Sequence, residues 1–169
     1  WQEYDVVGIS IVGISQIIPG LTLARMIKEK YPHLHITLGG PIFSVNAGQL
    51  IGHPEFFDDF CHSVVTFEGE EPMHRLLSAL KAGNSLSTVP NLLHLDGREV
   101  VQNKERVELR FEELPHPDFD GLPMDKYLSP YPILPVLQSR GCYWGKCTFC
   151  THSFVYGHRY GKQKTQAMV

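Results

Sequence analysis

Tyr4-Asp5-Val6-Val7-Gly8-Ile9-Ser10-Ile11-Val12 is a continuous apolar run rich in β-branched residues, and Gly13 follows it. A short run of this kind, without polar alternation, predicts a strand buried on both faces, as strands of parallel sheets are. Leu21–Lys30 comes next, with Leu21, Leu23, Ala24 and Ile27 on one side and basic residues on the other. This spacing predicts an amphipathic helix entered through Pro19-Gly20 and stopped before Pro32.

The pattern repeats downstream. His35–Leu38 predicts a second strand closed by Gly39-Gly40-Pro41, and Ser44–Ile51 a short helix. Ser63–Phe67 predicts a third strand. Glu68-Gly69-Glu70-Glu71 then leads into a helix over Pro72–Ala82, with Gly83 as its C-cap. Alternating strands and helices imply an α/β, Rossmann-like open parallel sheet, whose ligands bind beyond the carboxyl ends of the strands. The loops there are Ser10–Gly20, Gly39–Val45 and Glu68–Pro72. None contains G-x-G-x-x-G or a P-loop. Leu92–Gln102 reads as a β-hairpin on Asp96-Gly97. Six of the twelve prolines fall between Pro115 and Pro135, which marks a semi-rigid linker containing Tyr127 and Tyr131, aromatics expected to pack it against the sheet. A further strand is expected at Ile133–Leu137. We therefore divide the 169 residues into 1–90, 91–132 and 133–169.

At 43% hydrophobic and 20% charged, the composition excludes disordered and collagen-like classes. No apolar run approaches the roughly 20 residues of a membrane span, and nothing resembles a secretory signal, so a cytoplasmic location is expected. The net charge of −3 conceals an asymmetry. From Gln138 onward there are five basic residues (Arg140, Lys146, Arg159, Lys162 and Lys164) and no acidic one, against a net of −8 before it. An anionic partner is implied: nucleic acid, a phosphate or a thiolate-ligated cluster. Nucleic acid has little support, because no base-reading module accompanies the charges. Arg159, Lys162 and Lys164 could equally begin a solvated helix.

Three of the four cysteines lie in this basic segment. Cys142, Cys147 and Cys150 form C-x4-C-x2-C, three thiols within nine residues after a predicted strand. Such spacing lets several sulfurs reach one metal centre. Structural zinc would need a fourth ligand, for which Cys61 and His152 are candidates. An iron–sulfur cluster on three cysteines leaves one iron open. Gly141 and Gly145 would allow close wrapping, Arg140 and Lys146 would offset the cluster's charge, and Trp144 and Phe149 would shield it. Spacing alone leaves both metals open. Among the histidines, only His152 stands near ligand spacing.

The stretch Leu137–Cys150, including Phe149 before the last cysteine, resembles the first strand and cluster loop of radical S-adenosylmethionine enzymes. Their usual spacing is C-x3-C-x2-C, so this chain carries one extra residue in the first gap. Upstream, Val7–Val12, Gly39-Gly40-Pro41, Glu68-Gly69-Glu70, the Asp-Gly hairpin and Leu114-Pro115-His116-Pro117-Asp118 resemble, in that order, the cobalamin-binding half of the B12-dependent members. The resemblance implies that Cys142, Cys147 and Cys150 hold a 4Fe–4S cluster that chelates S-adenosylmethionine and cleaves it to a 5′-deoxyadenosyl radical, with methyl transfer in many members. It also implies cobalamin contacts at Ser10, Ile11, Val12, Gly39, Gly40, Glu68, Gly69 and Glu70. Phe67 stands where relatives often have Gly, which would narrow the pocket. No catalytic residue is assigned.

A full β/α barrel takes about 250 residues. Only 19 residues follow Cys150, and the chain opens on Trp1, not Met. The expectation is a fragment: a cobalamin-binding-type domain, a linker and the first strand of a truncated barrel, inactive alone. The rival is a non-enzymatic α/β interaction module with structural zinc on the cysteine loop.

Overall fold

A computed structural model of the chain describes residues 3–115 and 117–162. The expectations placed on Trp1, His116 and Lys164 lie outside the described residues. Five strands form one sheet in chain order: β1 (Val6–Ser10), β2 (His35–Gly39), β3 (Ser63–Val65), β4 (Leu92–Asp96) and β5 (Glu99–Gln102). The helices are α1 (Ile17–Lys30), α2 (Pro41–Leu50), α3 (Pro54–Phe60) and α4 (Glu70–Ala82), with α5 (His152–Val155) beyond the sheet.

β1, β2 and β3 run parallel, but β4 is antiparallel to β3 and β5 to β4. The sheet is therefore mixed, which corrects the all-parallel expectation. Asn91 is the physical reason. It takes a left-handed conformation (φ 54°), and Thr66 donates both its N–H and its Oγ1 hydroxyl to the Asn91 carbonyl, at 2.8 and 3.0 Å. The chain thus re-enters the sheet beside the end of β3, so the Asp96-Gly97 hairpin completes the sheet.

β1 is a second correction. Among the described residues its only partner is β2, and Gly8 and Ser10 are exposed. The strands buried through their centres are β2 and β3. Pleating sends alternate residues to two packed layers. Ile36, Leu38, Val64 and Leu93 join Ile11, Ala24, Ile27 and Phe57 beneath α1 and α3. Val65 and Leu92 meet Leu76, Ala79 and Val89 beneath α4.

α1 begins at Ile17, earlier than expected, so Pro19 lies in its first turn, where a missing N–H costs nothing. α3 carries no sequence assignment above. Its signals were Pro54 at the first helical position and the spacing of Phe56, Phe57 and Phe60. Its free carbonyl end is capped by Lys28 Nζ, which donates to the carbonyls of Phe57, Asp58 and Cys61. Gly83 ends α4 in the left-handed conformation (φ 66°), as expected.

Beneath this cap lies a polar seam between β2 and β3. His35 Nε2 is 2.9 Å from Ser63 Oγ, which donates onward to Thr37 Oγ1 at 3.0 Å. The rings of His35 and His62 stand 5.1 Å apart. Burial, then the neighbouring His62 and Lys28, push the His35 pKa from 6.5 down to about 4. An unfolded chain protonates this histidine below pH 6.5, whereas the folded chain resists until about pH 4. Stability is therefore lost as pH falls through that window, by about 3 kcal/mol from this group. His35→Gln should flatten the dependence, read as urea midpoints measured from pH 7 to pH 4. An unchanged slope would show that other groups dominate acid unfolding.

Between Gln102 and Ser139 the described chain is irregular apart from 3-10 turns at Phe111–Glu113 and Met124–Lys126. Ile133–Leu137 forms no strand, because no neighbouring strand offers it hydrogen bonds, and Ile133, Val136 and Leu137 are exposed. Tyr127 and Tyr131 are also exposed and do not pack the linker on the sheet. The strand near the cysteines is instead β6 (Ser139–Gly141), paired antiparallel with β7 (Tyr160–Lys162). Arg159 and Lys162 therefore precede and end a strand; they do not start a helix. No helix among the described residues is long and apolar enough to cross a membrane.

Candidate functional site

The carboxyl ends of β1, β2 and β3 open into a cavity of about 320 Å3. Ser10, Gly39, Gly40 and Gly69 line it, together with the apolar Leu38, Val65, Phe67 and Met73. Four of the expected contact residues are thus brought together. Ile11 is not among them: its side chain is buried in the core, and its N–H donates to the Gly39 carbonyl at 2.8 Å. Val12 points to solvent, and its N–H is held by Gln16 Oε1 at 2.8 Å. The cavity lining contains no ionisable side chain, so its chemistry is that of binding an extended, largely apolar or neutral group.

Of the two floor glycines, Gly40 is the one whose backbone requires glycine. Gly40 has φ 113°, and a Cβ added there would collide with the Ile11 carbonyl. Gly39 faces the Val65 carbonyl, 3.6 Å from where its Cβ would stand. Phe67 occupies a left-handed conformation (φ 61°) that a glycine would adopt freely. Its N–H donates to Ser44 Oγ at 2.7 Å. The Arg106 guanidinium lies 3.8 Å from the ring centroid, and Phe154 of α5 packs against it at 5.7 Å. These contacts hold the strained residue in place as one wall of the cavity.

Glu68 and Glu70 alternate with the cavity-lining Phe67 and Gly69, and they point elsewhere. The Glu68 side chain is only 5% exposed. Its Oε1 accepts from Arg140 Nη1 at 3.2 Å, and its Oε2 accepts from Arg159 Nη2 at 2.7 Å and from the Leu109 N–H at 3.2 Å. Arg140 Nη2 also donates to Glu70 Oε1 at 2.6 Å, and Arg159 pairs with Glu108. Burial pulls the Arg140 pKa down, but hydrogen bonding and charge from Glu70, then Glu68, outweigh it, and the net shift is upward. Arg140 is therefore engaged by carboxylates; the expectation gave it the task of offsetting a cluster's charge. Arg159 stands in the sequence only as one charge of the basic segment, and no local signal marks Glu108 or Leu109 as its companions at Glu68.

The cysteine loop follows Arg140. Cys142 is half-buried, and Cys147 and Cys150 are exposed; all are free thiols. The Gly145 N–H lies 3.5 Å from Cys142 Sγ. Gly141 and Gly145 take positive φ (84° and 61°), and Gly141 leaves no room for a Cβ against the Arg159 carbonyl. Among the described residues, no three His, Cys, Asp or Glu side chains are gathered closely enough to hold a metal ion. As a donor set the loop still fits a thiolate-bound centre: three soft sulfurs, unpaired, on one segment that no strand or helix holds apart. Lys146 sits over the Trp144 ring at 5.4 Å, and Trp144 and Phe149 are exposed. Cys61 is no ligand, since it belongs to the core, where burial pushes its thiol up to about 12. His152 Nε2 is 3.3 Å from the Gly141 carbonyl oxygen.

The last cysteine of the loop, Cys150, lies beside the residue next in the chain to Gly40 of the glycine-floored cavity. Gly40 lines that cavity, while the adjacent Pro41 lines a second one, of about 350 Å3, together with Phe149, Cys150, Thr151 and His152.

No family model matches the chain. Over 167 residues it is 28% identical to an uncharacterized methyltransferase of Pyrococcus horikoshii, which covers 98% of this chain and 35% of the relative. The chain thus spans about a third of the length of that curated relative. The cobalamin-dependent S-adenosylmethionine radical enzyme OxsB, solved with aqua-cobalamin and S-adenosylmethionine bound, superposes with a TM-score of 0.74 at 25% identity. The match covers 97% of this chain and 22% of OxsB. The radical S-adenosylmethionine methyltransferase TsrM of Kitasatospora setae, solved with cobalamin and a [4Fe-4S] cluster, shares the fold with a TM-score of 0.62 at 19% identity, over 96% of this chain and 34% of TsrM.

Proposed function

We propose that this chain carries the cofactor-binding part of a cobalamin-dependent radical S-adenosylmethionine enzyme, with methyl transfer as its reaction class. The observation that carries this reading is the adjacency of two features: a glycine-floored cavity at the ends of three parallel strands, and a loop of three free thiols whose last member, Cys150, lies across Gly40-Pro41 from it. OxsB and the Pyrococcus methyltransferase, each matched over nearly the whole chain, support it.

In this reading Ser10, Gly39, Gly40 and Gly69 contact cobalamin, and Cys142, Cys147 and Cys150 hold a 4Fe–4S cluster with one iron left for S-adenosylmethionine. When bound, the cluster would supply the electron that cleaves S-adenosylmethionine, and cobalamin would carry a methyl group. The chain's own residues bind and position. Gly39 and Gly40 let backbone approach the ligand, Val65 and Met73 exclude water, and Phe67 narrows the cavity. Glu68 and Glu70 hold the strand that leads into the cysteines. Residues 133–169 are read as the opening of a β/α barrel.

The test is anaerobic reconstitution with iron and sulfide, followed by titration with hydroxocobalamin. About four irons per chain, a reducible electron paramagnetic resonance signal and saturable corrin absorption are expected. One tetrahedral zinc on the three thiols and His152, with no corrin bound, would replace this reading by a zinc-stabilised interaction module.

A further inference from the structure

We infer that Glu68 is a positioning residue that locks the cysteine strand onto the cavity through a single turn of the chain. Within Phe67-Glu68-Gly69-Glu70, Phe67 and Gly69 line the cavity, while Glu68 and Glu70 both accept from Arg140. Arg140 lies in β6, two residues before Cys142. Arg159, which immediately precedes β7, grips the other oxygen of the same Glu68 carboxylate. β6 itself and the residue that leads into β7 are therefore pinned to one buried side chain in the turn between β3 and α4.

This arrangement differs from surface ion pairing. The Glu68 side chain is 5% exposed and Arg140 is 16% exposed, so solvent screens them little. A third bond, from the Leu109 N–H to Oε2, fixes the carboxylate's orientation. Neutralising Glu68 leaves Arg140 with Glu70 alone and Arg159 with Glu108 alone, and neutralising Arg140 as well removes the more buried of the two stranded charges. Phe67, on the other face of the turn, meets Phe154 of α5 and so ties the turn to the same C-terminal segment a second time. A ligand that presses on Phe67 or Gly69 thus acts on the backbone that carries Glu68. Position at the cavity and position of the cysteines are set by one element with two faces. Its consequence for cofactors rests on the function proposed above, while the lock itself rests on geometry alone.

The test compares hydrogen–deuterium exchange of the chain, with no cofactor added, against Glu68→Gln, Arg140→Gln and the double variant. Glu68→Gln should speed exchange in residues 139–162 by roughly tenfold or more, while β2 and β3 stay within about twofold. The double variant should exchange no faster than the worse single one. Arg140→Lys keeps the charge but cannot span Glu68 and Glu70 together, so it should fall between wild type and Arg140→Gln. That milder variant also serves if Glu68→Gln does not fold. Acceleration spread evenly over the main sheet, additive single effects, or no change at 139–162 would each overturn the inference. Because no cofactor enters the measurement, its failure and the failure of the proposed function are distinguishable.

Discussion

Replacing Cys142, Cys147 or Cys150 singly by Ser should reduce the iron retained after anaerobic reconstitution from about four per chain to fewer than one. The same analysis of Cys61→Ala should return the wild-type iron content. The contrast follows from where the four thiols lie. The first three are unpaired, on an exposed or half-exposed loop that no strand or helix holds apart. Cys61 is 1% exposed and packed in the core beside Phe57, with its thiol pushed up to about 12 by burial. A thiolate is the ligating form, and that burial suppresses it. Cys61→Ala should instead lower stability by about 1 kcal/mol, through lost packing alone. Equal iron loss in all four variants would show that iron binds without the loop. Zinc retained by each variant with one loop thiol removed would point to a site completed by other ligands.

What was legible in the sequence was local. The runs Val6–Ser10, His35–Leu38 and Ser63–Val65 announced three strands through apolar β-branched residues, and the glycines after them announced the ends that carry the cavity. Gly39-Gly40 could be placed at the site because backbone conformation is a property of a few residues. Sheet position was not local. Nothing in the β1 run distinguishes an edge from a centre, and nothing in the Asp96-Gly97 hairpin says that it will pair with β3. That pairing depends on Thr66 meeting Asn91, 25 residues away. The charged residues show the same limit more sharply. Arg140 and Arg159 were read as a basic segment awaiting an anion. Their anion is Glu68, 72 and 91 residues earlier. Counting charges by segment separates partners that the fold brings together. The acidic body and the basic end of this chain are, in part, two halves of one ion-pair network.

Gly40→Ala should destabilise the chain by about 3–4 kcal/mol, lowering Tm by roughly 10 °C, and should abolish corrin binding in the same experiment. Two independent costs combine. At φ 113° and ψ 166°, Gly40 occupies backbone space open essentially to glycine alone. An added Cβ would also meet backbone, not a side chain that could rotate away: it would collide with the Ile11 carbonyl and carbonyl carbon. Relief requires β1 and β2 to separate where Ser10 pairs with Gly39, which is the floor of the cavity. Gly48→Ala is the matching control within α2. A Cβ there meets nothing within 4 Å, and the helical position favours Ala over Gly by about 0.5–1 kcal/mol. Gly48→Ala should therefore raise Tm slightly and leave corrin binding intact. If Gly40→Ala melted like wild type, the close approach of Gly40 to Ile11 would be relieved without cost. The cavity would then have a floor that tolerates side chains, and Gly39-Gly40 would lose its role as the cradle of the ligand.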